Sequence, residues 1–249
     1  MELKKIAKTQ DLPYTALLFC PPGVGKSTAI GLIAEASEGN TLVLDVDRTI
    51  SRTLAKGEIV KDTSKVFVYE IDNVRTFEAW TEALKSITPE FLADNNIKTV
   101  AVDNISELER CILSDLGAQG KNKGVPAQSD YQYMQFKLVN SLRYMKGWGV
   151  NVVWTAWEDV RQIVSIDCTS YSQLIPKISV KIVDNICGLC DVVGKIIAKQ
   201  DGTRGIVLEA MQGIYAKNQI DARKGCKVED FVKWTNPEAE KNEKKEGKK

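Results

Sequence analysis

The sequence predicts an α/β fold with a mostly parallel central sheet, helices on both faces, and antiparallel strands at one edge. Three observations predict it. Short apolar runs alternate with stretches whose apolar residues recur at helical spacing, as in strands joined by crossover helices. After about residue 156 the runs follow one another through short connections, which suits antiparallel strands added to the edge of such a sheet. The 249 residues suit one large domain, domains usually spanning about 100–200 residues, and no linker or internal repeat divides the chain.

The elements follow in order. Residues 15–19 (TALLF) form a short buried strand, and 25–36 (GKSTAIGLIAEA) a helix closed by the Glu38-Gly39-Asn40 turn. Residues 41–46 (TLVLDV) and 65–71 (KVFVYEI) are strands. Between 74 and 87, Val74, Phe77, Trp80, Ala83, Leu84 and Ile87 stand at helical spacing, and Trp80 and Trp148 read as packing residues. A strand at 99–102 (TVAV) leads into a helix ending near Leu116. Residues 117–128 hold three glycines and no periodicity, and form a loop. A helix at 130–147 and a strand at 150–155 follow. Further strands are expected at 161–166, 191–198 and 205–211, a helix at 177–186 after Pro176, and amphipathic turns at 228–234. Residues 1–234 thus form one domain, and the Lys/Glu-rich stretch 235–249 is expected to be a disordered tail.

Composition excludes several chemistries. Lys plus Arg number 34 and Asp plus Glu 33, a net charge of +1, so any polyanion contact must come from a local patch. There are no histidines, which removes Ser-His-Asp triads, histidine acids and histidine metal sites. Six cysteines are too sparse for a disulfide scaffold and read as free thiols of a reducing compartment. Cys187-Gly-Leu-Cys190 is a lone pair without the further ligands a tetrahedral site needs. The N-terminus has no apolar leader, no run approaches the roughly 18 apolar residues of a span, and mean hydropathy is −0.21. A cytoplasmic protein without membrane contact is expected.

Residues 20–28 read Cys-Pro-Pro-Gly-Val-Gly-Lys-Ser-Thr, directly after a strand and directly before a helix. That is the context of a phosphate-binding loop. Gly23 and Gly25 can take positive φ and let the backbone close on an anion. Amides of Gly23, Val24, Gly25, Lys26, Ser27 and Thr28 would surround it at a helix N-terminus whose dipole favours negative charge, while Pro22, which has no N–H, stiffens the approach to the loop. Lys26 would reach the β- and γ-phosphates, and the Ser27 hydroxyl would ligate Mg²⁺. Cys20 stands where the usual pattern has glycine, outside the amide cradle, and reads as a small buried thiol.

Such sites need acids at neighbouring strand ends. Thr99-Val-Ala-Val-Asp103 ends a strand in Asp103, a candidate for Mg²⁺ beside Ser27, with helix capping as its alternative role. Asp45 and Asp47, two apart, share a strand face; Asp47, at the exit, is the candidate base that orients water, and Asp45 a support. Glu158 rivals Asp47, and Glu107 reads as a helix surface charge.

These segments, with Leu44-Asp-Val-Asp47, residues 152–158 (VVWTAWE), 176–179 (PKIS) and 216–219 (AKNQ), resemble the phage RecA-like P-loop ATPases. These AAA-type phage nucleotide-binding proteins are similar to the RadA core and often sit beside single-strand annealing proteins. The resemblance runs from about Thr15 to Trp234. It implies ATP with Mg²⁺ as cofactors, Asp103 as the Walker B acid, and Asp47 where the family places a catalytic glutamate. Trp157 falls where relatives often have histidine. Lys217 falls in a motif that relatives use to reach a neighbour's γ-phosphate, which implies a homo-oligomer; Gln219 stands where the motif has arginine. It implies action in DNA recombination or replication, in the host-cell cytoplasm for a phage-encoded chain, with single-stranded DNA and an annealing or single-strand-binding partner. Lys121 and Lys123 in the glycine loop, and Arg161 and Lys177 in the segment from Trp157 to Lys181, are the candidate DNA contacts. Two other readings stay open. One is a small-molecule or nucleoside kinase, although no arginine-rich lid is present and only Arg204 and Arg223 lie in the later loops. The other is a nucleotide-dependent adaptor that does not hydrolyse.

Overall fold

The computed structural model describes residues 12–165 and 167–234. The readings of the N-terminus and of the tail at 235–249 fall outside the described residues. The elements are β1 (Thr15–Phe19), α1 (Lys26–Ala36), β2 (Asn40–Asp45), α2 (Ile50–Ala55), β3 (Val66–Glu70), α3 (Thr76–Ser86), α4 (Pro89–Asp94), β4 (Ile97–Asp103) and α5 (Ile105–Gln119). They continue with α6 (Gln128–Lys146), β5 (Asn151–Ala156), β6 (Glu158–Val164), β7 (Ser170–Pro176), α7 (Val183–Leu189), β8 (Val192–Ala198), β9 (Arg204–Val207), β10 (Lys217–Asn218) and β11 (Gly225–Lys227).

The central sheet has the order β11-β9-β8-β1-β5-β4-β2-β3, and β10 pairs with β8 beside β9. Pairing is parallel from β8 across to β3. It is antiparallel where β9, β10 and β11 join at the edge. This is the predicted fold class, an α/β fold with antiparallel edge strands.

Every residue of β1 is buried because both faces of the sheet are covered. Alternate side chains of a strand point to opposite faces. Leu17 and Phe19 join a core with Trp80, Leu108, Leu138 and Trp154 under α3, α5 and α6. Ala16 and Leu18 join the other core with Ile30, Ile33, Val43 and Phe231 under α1, α2 and the short 3-10 turn at Val228–Asp230. Trp80 is fully buried and donates its indole N–H to Ser141 Oγ at 2.8 Å, tying α3 to α6. Trp148 is also buried.

Four expectations are corrected. The strand expected at 161–166 does not join the central sheet: β6, which ends at Val164, pairs antiparallel with β7 in a separate two-stranded sheet. Its period-2 pattern is real, but the residues of β6 are mostly exposed or half-buried, so it lacks the covered faces of a sheet interior. The helix expected at 177–186 begins later, at Val183. The strand after Gly205 stops at Val207. The loop at 117–128 is also shorter, since α5 runs through Gln119. The sequence reading missed α2, α4, β7, β10 and β11. For α4 a local signal exists: Pro89 opens the helix and the Thr88 hydroxyl accepts from the Phe91 amide at 3.2 Å.

All parallel strands point the same way, so the carboxyl ends of β1, β4 and β2 meet at one end of the sheet. β5 stands between β1 and β4. No helix among the described residues is long and apolar enough to cross a membrane.

Candidate active site

The loop between β1 and α1 is built around two glycines. Gly23 has φ +80° and Gly25 φ +120°, a region that side chains rarely adopt. Gly25 caps α1 without a side-chain partner, and the first turn carries no acid. The first amides of the helix are therefore left for an external acceptor. A cavity of about 500 Å³ opens there, lined by Pro22, Gly23, Gly25, Lys26, Ser27 and Thr28 of the loop. Val24 is not among the lining residues, and its amide donates to the Pro21 carbonyl at 3.4 Å. Cys20 is buried at the strand exit, and burial raises its thiol pKa, so it stands as a small buried thiol.

Asp103, at the end of β4, is buried and meets the loop directly. Its Oδ2 accepts from Ser27 Oγ at 2.5 Å and its Oδ1 from Thr155 Oγ1 at 2.7 Å. Thr155 lies on β5, opposite Leu18 of β1, and so bridges the two strands. Burial raises the Asp103 pKa, while the two hydroxyl hydrogen bonds and the nearby Lys26 oppose the shift. The helix cap of α5 is Asn104, whose Oδ1 accepts from the Glu107 amide at 3.0 Å. Asp103 is thus free of capping, and its oxygens face Ser27 and Thr155.

Asp47 also lines the cavity. Its Oδ2 accepts from Asn104 Nδ2 at 2.6 Å, while its Oδ1 is buried with no partner among the described residues. Burial first, then the charges of Asp103, Glu107 and Asp45, push the Asp47 carboxyl up to about 7, against the pull of Lys26. Asp45 is structural: its carboxylate accepts from the amides of Arg48 at 2.9 Å and Ile50 at 3.2 Å, folding the turn into α2. Glu158 is ion-paired with Lys195, both largely buried, and does not line the cavity. Glu107 accepts from the Cys111 thiol at 3.6 Å. Of the acids considered, Asp47 and Asp103 are the two beside the loop.

The sequence reading missed the far wall, made by Thr49, by Thr53 and Leu54 of α2, and by residues 56–60 after it. It also missed Thr155 and Asn104. For Asn104 a signal was present, since asparagine before a helix both caps and offers a second group. Trp157 lines the mouth, and the Arg110 guanidinium stacks 4.9 Å from its ring centroid.

Lys217 lies elsewhere. Its ammonium donates to the carbonyls of Gly188 at 3.0 Å and Cys190 at 2.6 Å, so in this chain it caps the carboxyl end of α7. A neighbour's Lys217 would have to leave these carbonyls to reach a triphosphate. Cys187 and Cys190 are buried at that same helix end, and burial pushes the Cys187 thiol up to about 12 and Cys190 higher.

Lys121 and Lys123 are exposed in the turn between α5 and α6. Arg161 is held by Asp184 at 2.9 Å and by Gln173. Lys177 follows β7, and its amide donates to the Trp157 carbonyl at 2.8 Å. A second cavity, of about 430 Å³, lies between Gln128, Tyr131 and Gln135 of α6 and Ser179, Val180 and Lys181. It brings the start of α6 beside the segment after β7.

The AAA domain family matches residues 12–220. No curated protein matches the chain. Among solved structures the chain is similar to the KaiC-like protein PH0186 from the hyperthermophilic archaeon Pyrococcus horikoshii OT3, at 12% identity and a TM-score of 0.46, over 87% of this chain and 85% of that one. The family match takes in the glycine loop, both aspartate-bearing strand ends and the central sheet through β10, and the chain belongs to the AAA domain family.

Proposed function

We propose that the protein binds and hydrolyses ATP with Mg²⁺, in phage DNA recombination or replication, on single-stranded DNA and with an annealing or single-strand-binding partner. The observation that carries the hydrolytic part is the 2.5 Å contact between Ser27 Oγ and Asp103 Oδ2 under the open amides of α1. A hydroxyl and a carboxylate oxygen are hard donors of the kind Mg²⁺ takes, and Lys26 beside them would hold the β- and γ-phosphates. When bound, Mg²⁺ supplies charge neutralisation at the phosphate oxygens. The loop amides and Lys26 orient the triphosphate and stabilise charge that develops on it. Asp47 has one carboxylate oxygen fixed by Asn104 and one without a partner among the described residues, which can accept a proton from an attacking water.

The DNA part rests on exposed Lys121 and Lys123 and on the Tyr131–Lys181 groove, which offers an aromatic face and a cation to an unpaired strand. Lys177 extends that side. Arg161 would have to leave Asp184 to contribute.

Phosphate release measured across pH, with and without single-stranded DNA, tests both parts. A base works in its ionised form, and a raised pKa moves ionisation to higher pH. With Asp47 at about 7, kcat/KM should rise by about tenfold from pH 6 to pH 8. Asp47→Asn should flatten that limb and lower turnover by about 10²- to 10⁴-fold. DNA should raise turnover, less so as salt increases. A rate indifferent to pH and to Asp47→Asn contradicts the role of Asp47, and indifference to DNA contradicts the DNA part. The non-hydrolysing adaptor is favoured by one observation, that a carboxyl near 7 is largely protonated below neutral pH. ATP binding without phosphate release, DNA and partner present, would decide for it.

A further inference from the structure

We propose that Arg204 is a second phosphate-binding cation of the nucleotide site, supplied by the edge of the same chain. The inference rests on the nucleotide reading above and adds a residue to it.

β9 runs antiparallel to β8, and Arg204 pairs with Ala198 at the carboxyl end of β8. β8 is parallel to β1, with Lys195 opposite Phe19. The start of β9 therefore lies at the same end of the sheet as the glycine loop. From there the Arg204 side chain reaches over the loop. Its Nε donates to the Val24 carbonyl at 3.1 Å and its Nη1 to the Gly202 carbonyl at 3.1 Å. It lies so close to the loop backbone that a Cβ on Gly25 would sit 2.3 Å from its Nε. Gly25 thus serves two ends, its positive φ and the approach of Arg204. Arg204 lines the same cavity as Lys26, Ser27 and Thr28.

The charge is the informative part. Among the described residues Arg204 has no carboxylate within ion-pair distance. Both its recorded acceptors are neutral backbone carbonyls. A guanidinium has five N–H donors in a fixed fork, which matches two oxygens of a phosphate better than it matches single carbonyls. A loop brace could have been made by a neutral side chain. An unneutralised cation laid beside the phosphate amides suits a polyphosphate. Its contribution should scale with the number of phosphates and be absent for the nucleoside.

Equilibrium binding of Mg-ATP, Mg-ADP and adenosine tests this, with the thermal midpoint of each variant recorded. Arg204→Gln keeps a donor for Val24 and removes the charge; Arg204→Lys keeps the charge and removes the fork. Arg204→Gln should weaken ATP binding by about 10- to 100-fold, the range for a charge-assisted hydrogen bond. ADP should lose less, adenosine should be unaffected, and Arg204→Lys should fall between wild type and Gln. ATP affinity unchanged in Arg204→Gln overturns the proposal. So does an equal loss for ATP and adenosine, which marks a base contact, or an equal loss for ATP and ADP with a lowered thermal midpoint, which marks a brace. Failure is separable from that of the nucleotide reading. Wild type that binds no ATP overturns both, whereas binding lost in Lys26→Ala but intact in Arg204→Gln overturns only the role of Arg204.

Discussion

Lys26→Ala should lower ATP turnover by about 10²- to 10³-fold, the effect of removing one preorganised group that stabilises transition-state charge. Lys26 is the first residue of α1, largely buried, on the wall of the cavity between the loop amides and Asp47. Alanine is a good helix former, so α1 should persist. The only charge removed is the one that would face the phosphates. Steady-state phosphate release by wild type and variant at equal concentration measures it. Equal rates would show that Lys26 does not meet the reacting phosphate.

Asp103→Asn should separate activity from stability. In the folded chain the Asp103 carboxylate is buried, and burial disfavours its ionised form, although Ser27 and Thr155 each donate to it. Asparagine keeps the shape and removes the charge. The thermal midpoint should therefore hold or rise. Turnover should fall by about 10²- to 10³-fold, and Mg²⁺ should lose its effect on nucleotide affinity, because the anionic half of the Ser27–Asp103 pair is gone. Asp103→Ala behaves differently. It removes the acceptor shared by the half-buried Ser27 hydroxyl and the buried Thr155 hydroxyl, which keeps the Val102 carbonyl at 3.2 Å, so the thermal midpoint should fall, each lost hydrogen bond to the carboxylate contributing about 1.5–3 kcal/mol. Thermal melts, phosphate release and ATP titrations with and without Mg²⁺ on both variants check these outcomes. An Asp103→Asn protein that keeps wild-type turnover would contradict the metal role.

Two kinds of residue divide what the sequence makes legible. The loop at 20–28, Asp103 and Asp47 can be read because each sits in a local pattern: an apolar run, then the functional side chain, then a helix or turn. The physics of strand ends places such residues at one edge of a parallel sheet whatever the strand order. Thr155, Arg204 and the wall at 54–60 have no such pattern. Thr155 reaches Asp103 only because β5 is inserted between β1 and β4. Arg204 reaches Val24 only because β9 turns back along β8. From sequence it is one arginine among later loops. Lys217 is the reverse case, a motif residue whose surroundings within the chain are set by the fold. Its motif suggests a phosphate contact, while its position beside β8 gives it the carbonyls at the end of α7. The run at 161–166 reads as a strand, and β6 covers it as far as Val164, but alternation cannot tell a sheet interior from an exposed hairpin. Glu158 is similar, since nothing in its neighbours in sequence announces the ion pair with Lys195.

The most direct test is a crystal structure with Mg²⁺ and a non-hydrolysable ATP analogue. The triphosphate should lie inside the turn from Gly23 to Thr28, with Lys26 Nζ on its terminal phosphates and the metal held on the side of Ser27 and Asp103. A triphosphate bound elsewhere, with the Ser27–Asp103 contact and the helix amides left untouched at saturating nucleotide, would contradict that placement.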